Sequence, residues 1–167
     1  YKQSHYVQAR RAFKDALNLD PNHAATHNNL GAVYLVSGKY KRAAQEFATA
    51  RKLDADSTAA TFNAGLAYIS LGDFSAALDT YKKLTESVPK DVDAAINYGF
   101  VLAKLGKFAQ ARSTWERALK MSPDAPDALN NLGVLHYNDK EYVKSVEKYE
   151  QALKSNPDLI EARNNLA

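Results

Sequence analysis

The chain has 167 residues, 46% hydrophobic and 25% charged, a balance that fits an ordinary globular protein and excludes a disordered one. No apolar run approaches the roughly 18 residues needed to cross a bilayer, so direct membrane insertion is not expected. A net charge of +3 is too small to argue for nucleic acid, and the lack of cysteine excludes disulfides and thiolate metal sites while suiting reducing and oxidising compartments alike.

The opening "YKQSHYVQARR" lacks the charged-then-apolar pattern of a secretory signal. It begins at Tyr1 without Met and is read as a fragment or processed product, which leaves the cytoplasm as the default compartment and the periplasm open. Residues 1–23 read as a turn followed by one amphipathic helix, with Tyr6, Ala9, Phe13 and Ala16 on one face at spacings of three and four.

Residues 24–36, "AATHNNLGAVYLV", repeat His27, Leu30, Gly31 and Tyr34 at helical spacing, which predicts a helix. After Gly38, Tyr40, Ala43, Phe47 and Ala50 mark a second one, so the unit is a helical hairpin. Gly38 suits a left-handed helix C-cap, where a side chain is penalised. Gly31 lies inside the first helix, where it costs about 1 kcal/mol relative to Ala. Close approach of the second helix's backbone is the expected compensation.

The same unit then returns. Gly31, Gly65, Gly99 and Gly133 stand 34 residues apart, Gly38, Gly72 and Gly106 form a second column, and these seven are all the glycines of the chain. Pro21, Pro89, Pro123 and Pro157 close most units, because proline cannot continue a helix and restricts the residue before it. Pro126 fits the first turn of a helix, where its missing N–H is not needed. Large aromatics at Phe47, Tyr81, Trp115 and Tyr149 alternate with small residues at Ala43, Ala77, Ala111 and Ser145. Full units run 24–57, 58–91, 92–125 and 126–159, and 160–167 open a further one, so 1–167 reads as a single array. The fourth turn has Lys140 in place of glycine. Either that turn is strained by up to about 1 kcal/mol or its left-handed position has moved to Asn138 or Asp139.

The motifs Leu30-Gly31-x-x-Tyr34 and Ala43-x-x-x-Phe47-x-x-Ala50, with the closing proline, resemble the tetratricopeptide repeat (TPR) family over essentially the whole chain. The resemblance implies an all-α, right-handed superhelical solenoid of helix-turn-helix hairpins, with the first helix of each hairpin lining a concave binding face. On that face the spacing places Asn28, Phe62, Leu66, Ile69, Ile96, Phe100, Asn130, Val134 and Tyr137, an apolar floor with few charges.

One column stands out: Asn29, Asn63, Asn97, Asn131 and Asn165 are asparagine in all five units. Asparagine is a mediocre helix former, so local stability does not explain it. Its amide both donates and accepts, and can bond the backbone of an extended peptide whatever that peptide's side chains. The column is similar to the asparagine ladder lining the TPR array of O-linked N-acetylglucosamine transferases. It also reads as a set of bonds to the backbone or side chains of the adjoining hairpin that fix the repeat angle, alone or together with ligand contact.

The function expected is a non-catalytic scaffold holding an extended or helical segment of another protein. The alternatives are the substrate-selecting arm of a larger protein glycosyltransferase and a scaffold that self-assembles into a homo-oligomer through open repeat ends. No phosphate loop, nucleophile–base pair or His-Glu helical metal pair is present, so neither an enzyme, a cofactor nor a metal is expected. His23 and His27 share an i, i+4 spacing without a third ligand, and His136 reads as a hydrogen-bonded core residue. A clamp for a peptide's terminal carboxylate needs several basic residues on the first helices, and only Lys104 stands there, near Asp93, Asp127 and Glu161. Lys39, Lys41, Arg42, Arg51, Lys52, Lys82 and Lys83 fall in turns and second helices, which argues against nucleic acid.

Overall fold

A computed structural model describes residues 2–166, which form ten α-helices, with no strand among the described residues. They are α1 (Lys2–Leu19), α2 (Ala24–Val36), α3 (Tyr40–Leu53), α4 (Thr58–Leu71), α5 (Phe74–Ser87), α6 (Val92–Lys104), α7 (Phe108–Met121), α8 (Pro126–Asn138), α9 (Tyr142–Ser155) and α10 (Ile160–Leu166). They fall into two compact units, residues 1–88 and 89–167.

In the first unit, α2 and α3 form one hairpin and α4 and α5 the next, with α1 packed on α2. Side chains cap three helices here. His23 Nδ1 accepts from Thr26 N at 3.2 Å, Ser57 Oγ from Ala60 N at 3.3 Å and Asp73 Oδ1 from Ala76 N at 3.0 Å, each satisfying a donor that the helix start leaves open. Leu30, Tyr34, Ala43, Ala44, Phe47, Ala64 and Ala67 make one core, against which Phe13, Leu17, Leu35 and Tyr68 pack.

The second unit pairs α6 with α7 and α8 with α9, and places α10 against α9. Asp91 Oδ1 caps α6 by accepting from Ala94 N at 2.9 Å, and α8 begins at Pro126 with no side-chain cap, as the fixed φ of proline allows. Ser145 stands where the other units have alanine. Its hydroxyl is buried and donates to Gly133 O at 2.8 Å, so the added polar atom is satisfied.

The glycine columns separate by mechanism. Gly38, Gly72 and Gly106 adopt φ of 70°, 75° and 75° with open space around the missing Cβ, so backbone conformation alone selects them. Each turn closes with the same pair of bonds, for example Gly72 N to Ile69 O and Asp73 N to Tyr68 O, both 3.0 Å. Lys140 keeps that pattern, with Lys140 N bonded to Tyr137 O at 3.0 Å and Glu141 N to His136 O at 2.9 Å. Its φ is 63°, so the left-handed position stays at Lys140 and has not moved to Asn138 or Asp139.

Gly31, Gly65, Gly99 and Gly133 have a different reason, and the expectation of a close backbone approach is corrected. A Cβ on Gly31 would lie 2.6 Å from Phe47 Cε1, one on Gly65 2.5 Å from Tyr81 Cζ, one on Gly133 2.5 Å from Tyr149 Cε1, and one on Gly99 would strike the Trp115 indole. The second helix's aromatic ring lies flush on the first helix's glycine. Two of these rings are also held by their polar atoms: Tyr81 Oη donates to Phe62 O at 3.3 Å and Trp115 Nε1 to Ile96 O at 3.0 Å.

Candidate functional site

In the first unit, Asn63 Nδ2 donates to Asn28 Oδ1 at 3.0 Å, joining α4 to α2 through the two first helices. Asn29 is exposed, and among the described residues its amide has no partner. Phe62, Leu66 and Ile69 are half-buried, and the Phe62 ring meets Tyr81 edge-on at 5.8 Å.

The second unit repeats the bond between first helices: Asn165 Nδ2 donates to Asn130 Oδ1 at 3.0 Å, linking α10 to α8. Asn130 is buried at 8% exposure, so its carbonyl is held by this bond. Asn97 turns to its own helix and donates to Asp93 O at 3.0 Å. The asparagine column thus has no uniform partner. It bridges helices where an asparagine precedes it in the neighbouring unit, and elsewhere it is left for other bonds.

A groove of about 500 Å³ crosses the first helices α6, α8 and α10. Of the residues singled out from the sequence, Phe100, Asn130, Asn131, Val134 and Asn165 line it. Asn131 is half-buried and Asn164 exposed, and among the described residues neither carboxamide has a hydrogen-bond partner. Lys104 places its ammonium 5.2 Å from the centre of the Phe100 ring. Ile96 lies outside the groove, buried at 9% exposure. Tyr137 is exposed, stacks edge-on with Tyr142 at 5.4 Å, and shares a second depression with Val146 and Leu166.

Groove residues outside the sequence candidates include Phe108, Trp115, Leu135 and Asn164. Trp115 belongs to the core column, and its edge reaches the groove because Gly99 leaves room beneath it. Asn164 could have been found, since it shares the repeat position of Asn28 and Asn130.

Two histidines, His27 and His136, are engaged by carboxylates of the chain. His27 Nδ1 lies 2.7 Å from Glu46 Oε2 and Nε2 donates to Pro21 O at 3.0 Å, while His136 Nδ1 meets Glu141 Oε2 at 2.6 Å. Hydrogen bonds from Lys144, then from His136, pull the Glu141 carboxyl down to about 2. No three acidic or imidazole side chains converge as a metal set among the described residues. No helix of the described residues is long and apolar enough to cross a membrane.

Hairpins that repeat a left-handed turn and a glycine seated under an aromatic ring define a helical-repeat protein. The chain belongs to the tetratricopeptide repeat family, whose profile matches residues 1–60, 28–92, 62–105 and 99–160. Comparison with curated protein sequences returns no significant match. Among solved structures, MamA from Desulfovibrio magneticus RS-1 is 16% identical, with a TM-score of 0.84 over 95% of this chain and 89% of that one. YrrB, described as a TPR protein with an unusual peptide-binding site, is 24% identical, with a TM-score of 0.77 over 98% and 84%. TTC0263, a thermophilic TPR protein of Thermus thermophilus, is 21% identical, with a TM-score of 0.79 over 99% and 91%. At these identities the likeness establishes the fold.

Proposed function

We propose that the chain is a non-catalytic interaction scaffold that holds a segment of another protein in the groove across α6, α8 and α10. The observation that carries this reading is the pairing of unbonded carboxamides, Asn131 and Asn164, with a half-buried apolar floor at Phe100 and Val134. Carboxamides recognise any peptide backbone, because each offers donors and an acceptor. The apolar floor supplies the burial that gives such contacts net affinity. Three extended residues span about 10 Å, which matches the roughly 10 Å between packed helices, so one bound strand can meet successive repeats in register. The description of YrrB, a protein of the same fold, as having a peptide-binding site supports the reading by analogy.

The test starts from peptides selected by phage display on the intact chain. Asn131→Ala with Asn164→Ala should weaken their binding by about tenfold, on the scale of two lost hydrogen bonds, while the melting temperature stays within about 3 °C. Unchanged affinity in the double variant, or selection of peptides that cross-linking places on α7 or α9, would refute it.

A further inference from the structure

The two apolar floor residues of the groove, Phe100 on α6 and Val134 on α8, stand 34 residues apart and so hold the same position in successive repeats. α6 touches α8 directly, and α8 touches α10. Packed helices lie roughly 10 Å apart, and equivalent side chains on them share that spacing. A ligand that uses both floor residues must present two apolar side chains on one side at about this distance.

That requirement separates the backbone conformations. A β-strand turns alternate residues to one face, at about 6.6 Å and then 13 Å, and misses the spacing. An α-helix brings residues i and i+7 to one face at about 10.5 Å. Its backbone N–H and C=O groups are spent on its own ladder, however, and leave nothing for the unbonded carboxamides of Asn131 and Asn164. The polyproline II helix has three residues per turn, so i and i+3 share a face about 9.3 Å apart, and none of its backbone groups is bonded internally. It alone meets both conditions.

The walls fit the same ligand. Phe108 is exposed, and with Phe100 and the Trp115 edge it gives the groove an aromatic lining, the surface on which proline-rich segments dock. The charged residues on the wall are Lys104 and Glu161, of opposite sign, so the groove offers an uncharged ligand no net field to oppose it. Proline has no backbone N–H, and its carbonyls accept what an asparagine Nδ2 donates.

We propose that the groove across α6, α8 and α10 takes an uncharged, proline-rich segment in the polyproline II conformation. Its apolar residues at i and i+3 rest on Phe100 and Val134, and its carbonyls accept from Asn131 and Asn164. The inference rests on the reading of the groove as a peptide site and adds the conformation and composition of the ligand.

The experiment uses the intact chain, a peptide from the phage selection and three designed peptides, all labelled with fluorescein. The first design repeats Leu-Pro-Pro, the second alternates leucine and threonine as strand formers do, and the third is an alanine-rich helix former with leucines seven apart. Fluorescence anisotropy should rank the Leu-Pro-Pro peptide about tenfold tighter than either of the other designs, and its unlabelled form should displace the selected peptide. Phe100→Ala should weaken it about tenfold. Val134→Thr, which nearly keeps the side chain's volume, should weaken it about threefold with the melting temperature within about 3 °C. If a strand or helix design binds as tightly, or if Val134→Thr leaves the Leu-Pro-Pro affinity unchanged, the ligand class is wrong. The groove reading then still stands on a selected peptide that is weakened by Asn131→Ala with Asn164→Ala. A selected peptide indifferent to that double substitution removes the groove reading and the ligand class with it.

Discussion

Gly65→Ala tests the physical logic of the repeat. Helix propensity alone makes it favourable by about 1 kcal/mol, because Gly65 lies within α4. The structure opposes this: the new methyl would lie 2.5 Å from both Cε2 and Cζ of Tyr81, against an ordinary carbon contact of about 3.5–4.0 Å. Tyr81 cannot simply turn away, since it is fully buried and its hydroxyl donates to Phe62 O at 3.3 Å. Overpacking costs about 1–3 kcal/mol and a weakened hydrogen bond about 0.5–1.5 kcal/mol, so the net destabilisation is about 2 kcal/mol. Urea unfolding followed by far-ultraviolet circular dichroism should show a lower midpoint at unchanged slope. In Gly65→Ala with Tyr81→Leu the two effects should be non-additive by about 1 kcal/mol or more. A single Gly65→Ala variant more stable than the parent would refute the reasoning, because propensity alone would then account for the site.

Further outcomes follow from individual residues. Lys140→Gly should stabilise the chain by about 0.5–1 kcal/mol in the same urea assay, since Lys140 holds a φ of 63° that glycine adopts without strain. Asn63→Ala should destabilise by about 1 kcal/mol, as its half-buried bond to Asn28 is lost, whereas Asn131→Ala should change stability by less than about 0.5 kcal/mol. Glu141 is held at about 2 against an ordinary 4.5. Its contribution is therefore fully present above the unfolded value and is lost as pH falls through the folded one. The melting-temperature gap between the parent and Glu141→Gln should persist near pH 6 and close as pH falls from 4.5 towards 2.

The hairpins were legible because their signals are periodic and local. Glycine and proline restrict backbone angles directly, so the turns at Gly38, Gly72 and Gly106 could be placed from the letters alone. The partner of Gly31 could not be read in full. Periodicity puts Phe47 on the facing helix, but whether its ring or its backbone meets the glycine depends on a rotamer, and the ring does. Spacing likewise puts Ile96 and Phe100 on one helical face, yet Ile96 is buried and Phe100 lines the groove. The asparagine column shows the same limit. One residue type at one repeat position makes a bridge at Asn63 and Asn165 and a local bond at Asn97, according to what the neighbouring helix offers.

Nitrogen-15 spectra of the asparagine side-chain amides give the sharpest view of the groove, recorded while a selected peptide is titrated into the intact chain. Contact along α8 and α10 should move the Asn131 and Asn164 signals first and saturably, with Asn97 nearly still because it is bonded to Asp93 O. Shifts confined to backbone amides of α7 and α9, with both groove carboxamides unmoved at saturation, would contradict the docking of a peptide on the first helices.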